Sequence, residues 1–167
     1  LMPNHHHATL QPSRPNLSQA IPRINSTYAQ WWNRRHGRVG HVFQGRFKDQ
    51  IVDREPYLLA LSRYVVMNPV RARLVARPED WPWSSYRATA GLADAPAFLA
   101  TLSTLRLFSQ GPDAALQAAF ADAMAIHDDS SVTDRIRSNE RVLGAKAFKR
   151  RLAAAKLLEA SSAELAS

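Results

Sequence analysis

The stretch Arg63-Tyr64-Val65-Val66-Met67-Asn68-Pro69-Val70-Arg71-Ala72-Arg73-Leu74-Val75, followed closely by Trp81-Pro82-Trp83-Ser84-Ser85-Tyr86, organises the reading of this chain. Leu58, Leu61 and Val65 recur at helical spacing, so an amphipathic helix arrives at Tyr64 with one apolar side to bury. Asp53 suits the N-cap of that helix, and Glu55 and Pro56 suit its first turn. Asn68 before Pro69 predicts its end near Met67, because a residue preceding proline avoids the helical region. A second short helix is expected from Pro69 to Ala76, then a turn from Pro78 to Pro82. Tyr64 and Asn68 lie four residues apart, so their side chains share one helix face.

Toward the N-terminus, Phe43 to Val52 reads as a strand with Phe47 and Ile51 on a different face from Lys48 and Gln50. Before it, Leu17, Ile21, Ile24, Tyr28, Trp31 and Trp32 predict a helix from Leu17 to about Arg35. Pro22 starts or kinks that helix, and Gly37 ends it by tolerating left-handed geometry. Gln11 to Asn16 is a loop, and residues 5–10 read as the end of a strand. After Gly91 alanine and leucine dominate, with helical patterns over 97–109, 112–126 and 144–160 and a frayed end from Ser161. The expected organisation is a mixed α and β region over 1–90 followed by an α-helical region over 91–167.

Charge is divided along the same boundary. The net charge is +8, and the basic excess lies wholly in residues 1–90, where twelve of the thirteen basic residues are arginine. A guanidinium fork grips phosphate through two hydrogen bonds, so a polyanion, most simply nucleic acid, is the natural partner. A basic surface kept for solubility is the other reading. The chain has no cysteine, which excludes disulfides, zinc-thiolate sites and thiol catalysis. No apolar run reaches the length of a membrane span, and the N-terminus lacks the charged-then-apolar pattern of a secretion signal. A cytoplasmic protein in contact with DNA and not with membrane is expected.

Two sets of residues can carry chemistry. His5 and His7, two apart on a strand, would turn both imidazoles to one face and reach one divalent cation, although a histidine run near a terminus is also commonly incidental. Tyr64 can attack a phosphodiester where a cation neutralises the phosphate, and the Asn68 amide can complete a metal's ligand set. Equally, Tyr64 reads as a half-buried aromatic and Asn68 as a helix stop. Tyr28, Trp31, Trp32, Phe43 and Phe47 are expected mostly inside, with the interleaved arginines facing DNA.

Taken in order, Met-Pro-Asn-His-x-His, Tyr-x-x-Trp-x-Asn-Arg-Arg-His-Gly, Phe-Gln-Gly-Arg-Phe, Arg-Tyr-Val-x-x-Asn-Pro-Val-Arg-Ala and Asp-Trp-Pro-Trp-Ser-Ser-Tyr resemble the REP-associated tyrosine transposases. These are single-tyrosine HUH enzymes similar to the transposases of insertion sequences 200 and 605. The resemblance covers residues 2–90 and, more loosely, Val142 to Phe148. It implies an α+β fold: an incomplete ferredoxin-like antiparallel sheet with helices, N-terminally truncated, followed by the helical C-terminal region. It implies His5, His7 and Asn68 as ligands of magnesium or manganese, and Tyr64 as the nucleophile that forms a 5′-phosphotyrosine. It implies single-stranded or hairpin DNA of palindromic repeats as substrate. Arg34, Arg35, Arg38, Arg46 and Lys48 are, on charge alone, the candidates for contacts to the DNA backbone. Two other functions stay open: a non-catalytic protein that binds DNA hairpins, and an RNA-binding accessory protein.

Overall fold

In the computed structural model, which describes residues 1–53, 57–126, 130–138 and 141–165, the chain divides into two units. One comprises Leu1–Ala8 with Gln50–Ser167, the other Thr9–Asp49.

The unit Thr9–Asp49 is built on helix α1, Leu17–His36, as the apolar spacing predicts. Pro22 sits inside α1 and does not end it. The helix stops at Gly37, whose φ of 59° is the left-handed geometry that glycine adopts without strain, and the Arg38 N–H donates to the Asn33 carbonyl at 2.9 Å. The strand expected from Phe43 is absent up to Gln50, since no neighbouring strand among the described residues offers this segment a ladder.

In the other unit, strand β1 is only Ile51–Val52, and its partner is β2, Val142–Leu143. The two pair in parallel, Ile51 opposite Val142 and Val52 opposite Leu143. The fold is therefore mixed and mostly helical with a small parallel sheet; among the described residues there is no antiparallel ferredoxin-like sheet. A parallel pair needs a long crossover, here supplied by the intervening helices. Leu143 is fully buried, and a side chain on Gly144 would collide with Phe148.

Helix α2, Tyr57–Arg71, carries the central motif and runs straight through Asn68-Pro69, contrary to the stop expected there and the separate helix expected from Pro69. The reason is tertiary. Pro69 and Val66 are both buried, and Pro69 falls in the last turn, where its missing N–H deprives one carbonyl only. The Arg71 guanidinium also reaches back to donate to the Tyr64 carbonyl at 2.7 Å. Past Arg71 the chain closes the helix with Leu74 N–H on the Pro69 carbonyl (3.0 Å) and Arg73 N–H on that of Val70 (2.9 Å). This is a Schellman closure with arginine at φ 57° where glycine is favoured. The first-turn residues expected at Glu55 and Pro56 lie outside the described residues.

A turn at Pro78–Asp80 leads to α3, Tyr86–Thr89; then follow α4, Thr101–Leu105, α5, Asp113–Ala125, α6, Ser130–Arg137, and α7, Lys146–Leu165. Val66, Tyr86, Leu105, Leu116, Phe120 and Met124 form the core. Phe120 is its centre, meeting Phe108 edge to face at 5.2 Å and Tyr86 at 5.7 Å. Each such side chain removed from water contributes about 1.5–3 kcal/mol. The core takes residues from both sides of position 90, so α5 supports the helix that carries Tyr64. Among the described residues no helix is long and apolar enough to cross a membrane.

Candidate active site

Tyr64 lies on α2 with its ring half-buried and two side chains against it. The His7 imidazole meets it edge to face, 5.6 Å between centroids, and the Arg71 guanidinium carbon sits over the ring at 4.4 Å from its centroid. His5 in turn meets His7 edge to face at 5.0 Å. The structure thus brings two histidines from the start of the sequence to Tyr64 and Arg71 of α2.

The histidine segment is held without being a strand, contrary to the expectation for residues 5–10. Leu1, ahead of it, is bound to the Trp81-Pro82-Trp83 turn. Trp81 Nε1 donates to the Leu1 carbonyl and the Leu1 amine donates to the Trp83 carbonyl, both at 2.7 Å. Met2 N–H closes the turn onto the His5 carbonyl at 2.8 Å. Within it, the Asn4 side-chain oxygen accepts a hydrogen bond from His5 Nδ1 at 2.7 Å. An amide oxygen only accepts, so Nδ1 carries the proton and Nε2 is left as the donor atom for a cation.

His7 keeps much of its surface in solvent, yet its imidazole is held below the ordinary histidine value. Loss of water around the ring is the largest cause, followed by the charges of His5, His6, the N-terminal amine and Arg71. At neutral pH it is an uncharged ring, the form that ligates a metal.

Two tyrosines stand on α2, and their surroundings differ. Arg135 donates to the Tyr57 hydroxyl at 2.5 Å and covers that ring at 4.9 Å. The Tyr64 hydroxyl takes part in no hydrogen bond among the described residues. Among the described residues, the Tyr57 hydroxyl is engaged and the Tyr64 hydroxyl is not.

Asn68, one turn beyond Tyr64, keeps its amide nitrogen buried with no hydrogen-bond partner among the described residues. A buried N–H donor without a partner costs about 1–3 kcal/mol, and what that atom lacks is a hydrogen-bond acceptor, since an amide nitrogen does not ligate a cation. Two neighbouring imidazoles, one of them orientated by Asn4, have the donor chemistry for a divalent cation, and from Asn68 only the amide oxygen could join them. Among the described residues there is no cluster of three His, Cys, Asp or Glu, so such a site would depend on the amide.

Arg34, Arg35, Arg38, Arg46 and Lys48 all belong to the unit Thr9–Asp49 and are all exposed. Arg34 and Arg38 border a hollow of about 400 Å³, and Arg46 borders one of about 810 Å³ with Phe43 and Phe47. The aromatics expected inside this unit are not all so. Trp31 is 51% and Tyr28 44% exposed, because one helix and a loop cannot cover both rings. Trp32 is better sheltered and stacks on His36 at 3.8 Å.

Sequence reasoning missed Arg71 and Trp81. The only signal for Arg71 was its position seven residues after Tyr64, two helical turns along the same face. Trp81 had no local signal, since its indole pairs with a carbonyl from the far end of the chain. Comparison with protein-family models, with curated proteins and with solved structures gives no match for this chain.

Proposed function

We propose that the chain is a transposase-like DNA strand transferase of the single-tyrosine HUH type, resembling the REP-associated tyrosine transposases. Its substrate is single-stranded or hairpin DNA of palindromic repeats. The observation that carries the reading is the Tyr64 ring set against His7, with a hydroxyl that no other described residue engages.

The chemistry follows from that placement. The Tyr64 oxygen bonds to the scissile phosphorus as the bond from phosphorus to the 3′-oxygen breaks. The phenolic proton passes to water, and the departing oxygen takes a proton from water to become a 3′-hydroxyl. The 5′-phosphate stays esterified to Tyr64, keeping the bond energy, so another 3′-hydroxyl can reverse the step and join strands without ATP. His5, His7 and the Asn68 amide oxygen would hold magnesium or manganese, which when bound neutralises the phosphate and eases release of the leaving oxygen. Arg34, Arg35, Arg38, Arg46 and Lys48 supply backbone contacts to the DNA.

A second reading, a protein that binds DNA hairpins without cutting them, is favoured by the placement of His5 and His7. Both are exposed and neither lies in a strand, a looser footing than catalysis ordinarily uses. One assay separates the two. Hairpin oligonucleotides labelled at the 3′ end are incubated with the protein and manganese or magnesium. A metal-dependent labelled protein band supports strand transfer; salt-sensitive binding with no covalent product supports the second reading.

A further inference from the structure

We infer that Arg71 is a positioning residue for Tyr64, holding the phenol ring in the orientation that meets His7. The inference rests on the reading of Tyr64 as nucleophile.

Three observations converge on it. The Arg71 guanidinium is bound to the Tyr64 backbone carbonyl at 2.7 Å, which fixes the base of the residue it acts on. Its central carbon lies 4.4 Å from the ring centroid, which limits the ring on that side. The His7 imidazole meets the same ring at 5.6 Å and an interplanar angle of 81°, a contact that needs the ring held in one rotamer. A guanidinium does both jobs because it is planar: it can lie along an aromatic ring while one N–H points at a carbonyl. An ammonium at the same place keeps the charge near the helix C-terminus but has no plane to stack. The two tyrosines of α2 show the device twice, since Arg135 covers Tyr57. There the arginine also binds the hydroxyl, whereas Arg71 binds the backbone and leaves the Tyr64 hydroxyl open.

The test uses the whole protein with its four tyrosines ¹³C-labelled in the ring, the Tyr64 signal being assigned by Tyr64→Phe. Arg71→Lys and Arg71→Ala are compared with the parent, with circular dichroism to confirm folding. The expected result is a shifted Tyr64 signal and loss of its cross-peak to His7 in both variants. In the adduct assay the rate of covalent capture falls about tenfold or more, while hairpin affinity changes about twofold or less. Should Arg71→Ala fail to fold, Arg71→Lys alone decides. A lysine variant whose Tyr64 signal and capture rate match the parent would show that only the helix-end charge matters, and would overturn the inference. If the parent forms no adduct, the nucleophile reading fails, and an unchanged Tyr64 signal in Arg71→Lys would separately refute the positioning.

Discussion

The imidazole of His7 meets the phenol of Tyr64 edge to face, 5.6 Å between ring centroids. The contact joins the segment before Ala8 to helix α2, and the same segment is held at Leu1 by the indole of Trp81 on the Leu1 carbonyl. On the proposed function, the nucleophile's surroundings therefore include a segment tied to a turn that carries no reactive group.

The contrast between the two tyrosines of α2 gives the first prediction. Tyr64→Phe removes the covalent DNA adduct and leaves hairpin affinity within about twofold, since a ring is retained. Tyr57→Phe instead leaves the adduct intact and lowers stability by about 1 kcal/mol, the ordinary value of a hydrogen bond such as that from Arg135. Gel analysis of capture and urea melts of both variants check this.

The core predicts a larger loss. Phe120 is 1% exposed and touches both Phe108 and Tyr86, so Phe120→Ala costs about 3–5 kcal/mol. Because the same core holds Val66 of α2, DNA capture should fall along with the melting temperature, not independently of it.

Arg73 predicts a gain. It occupies left-handed backbone, φ 57°, in the closure of α2, a conformation that costs a side-chain-bearing residue about 1 kcal/mol or more. Arg73→Gly should therefore raise stability by roughly 0.5–1 kcal/mol, read as a higher denaturation midpoint with an unchanged slope.

Much of this architecture is legible in the residues. The α1 periodicity and its Gly37 stop, and the helical pattern over 112–126 seen as α5, follow from spacing and one glycine. Other elements are not, and for stated physical causes. Helix α2 passes Pro69 because burial of Pro69 and Val66 outweighs a local preference. The strand expected from Phe43 shrinks to Ile51–Val52 because its partner is a two-residue segment, Val142–Leu143, far along the chain, which no local pattern announces. The shared face of Tyr64 and Asn68 could be read from helix geometry. The approach of His7 to Tyr64 could not, because the two lie far apart along the chain and meet only in the tertiary structure.

A pH dependence follows from Tyr86. Burial, and then the charge of Glu79, push its phenol above the ordinary tyrosine value of about 10. A raised folded value means the folded state keeps a proton that the unfolded state releases. The stability this provides is complete below about pH 10 and is lost as pH rises beyond it. Tyr86→Phe, which keeps the ring against Phe120, should flatten that alkaline loss when melts are followed from neutral pH upward.

The central claim is that Tyr64 becomes bonded to DNA, and peptide mapping tests it most directly. The protein is incubated with manganese and a repeat hairpin, trimmed with nuclease, digested with trypsin and examined by mass spectrometry. Tryptic cleavage at Arg63 and Arg71 isolates Tyr64 in the peptide 64–71, while Tyr57 falls in the preceding one. A nucleotide-bearing 64–71 peptide, lost in Tyr64→Phe, is the predicted result. Modification of the peptide containing Tyr57, or no modified peptide at all, would contradict the account.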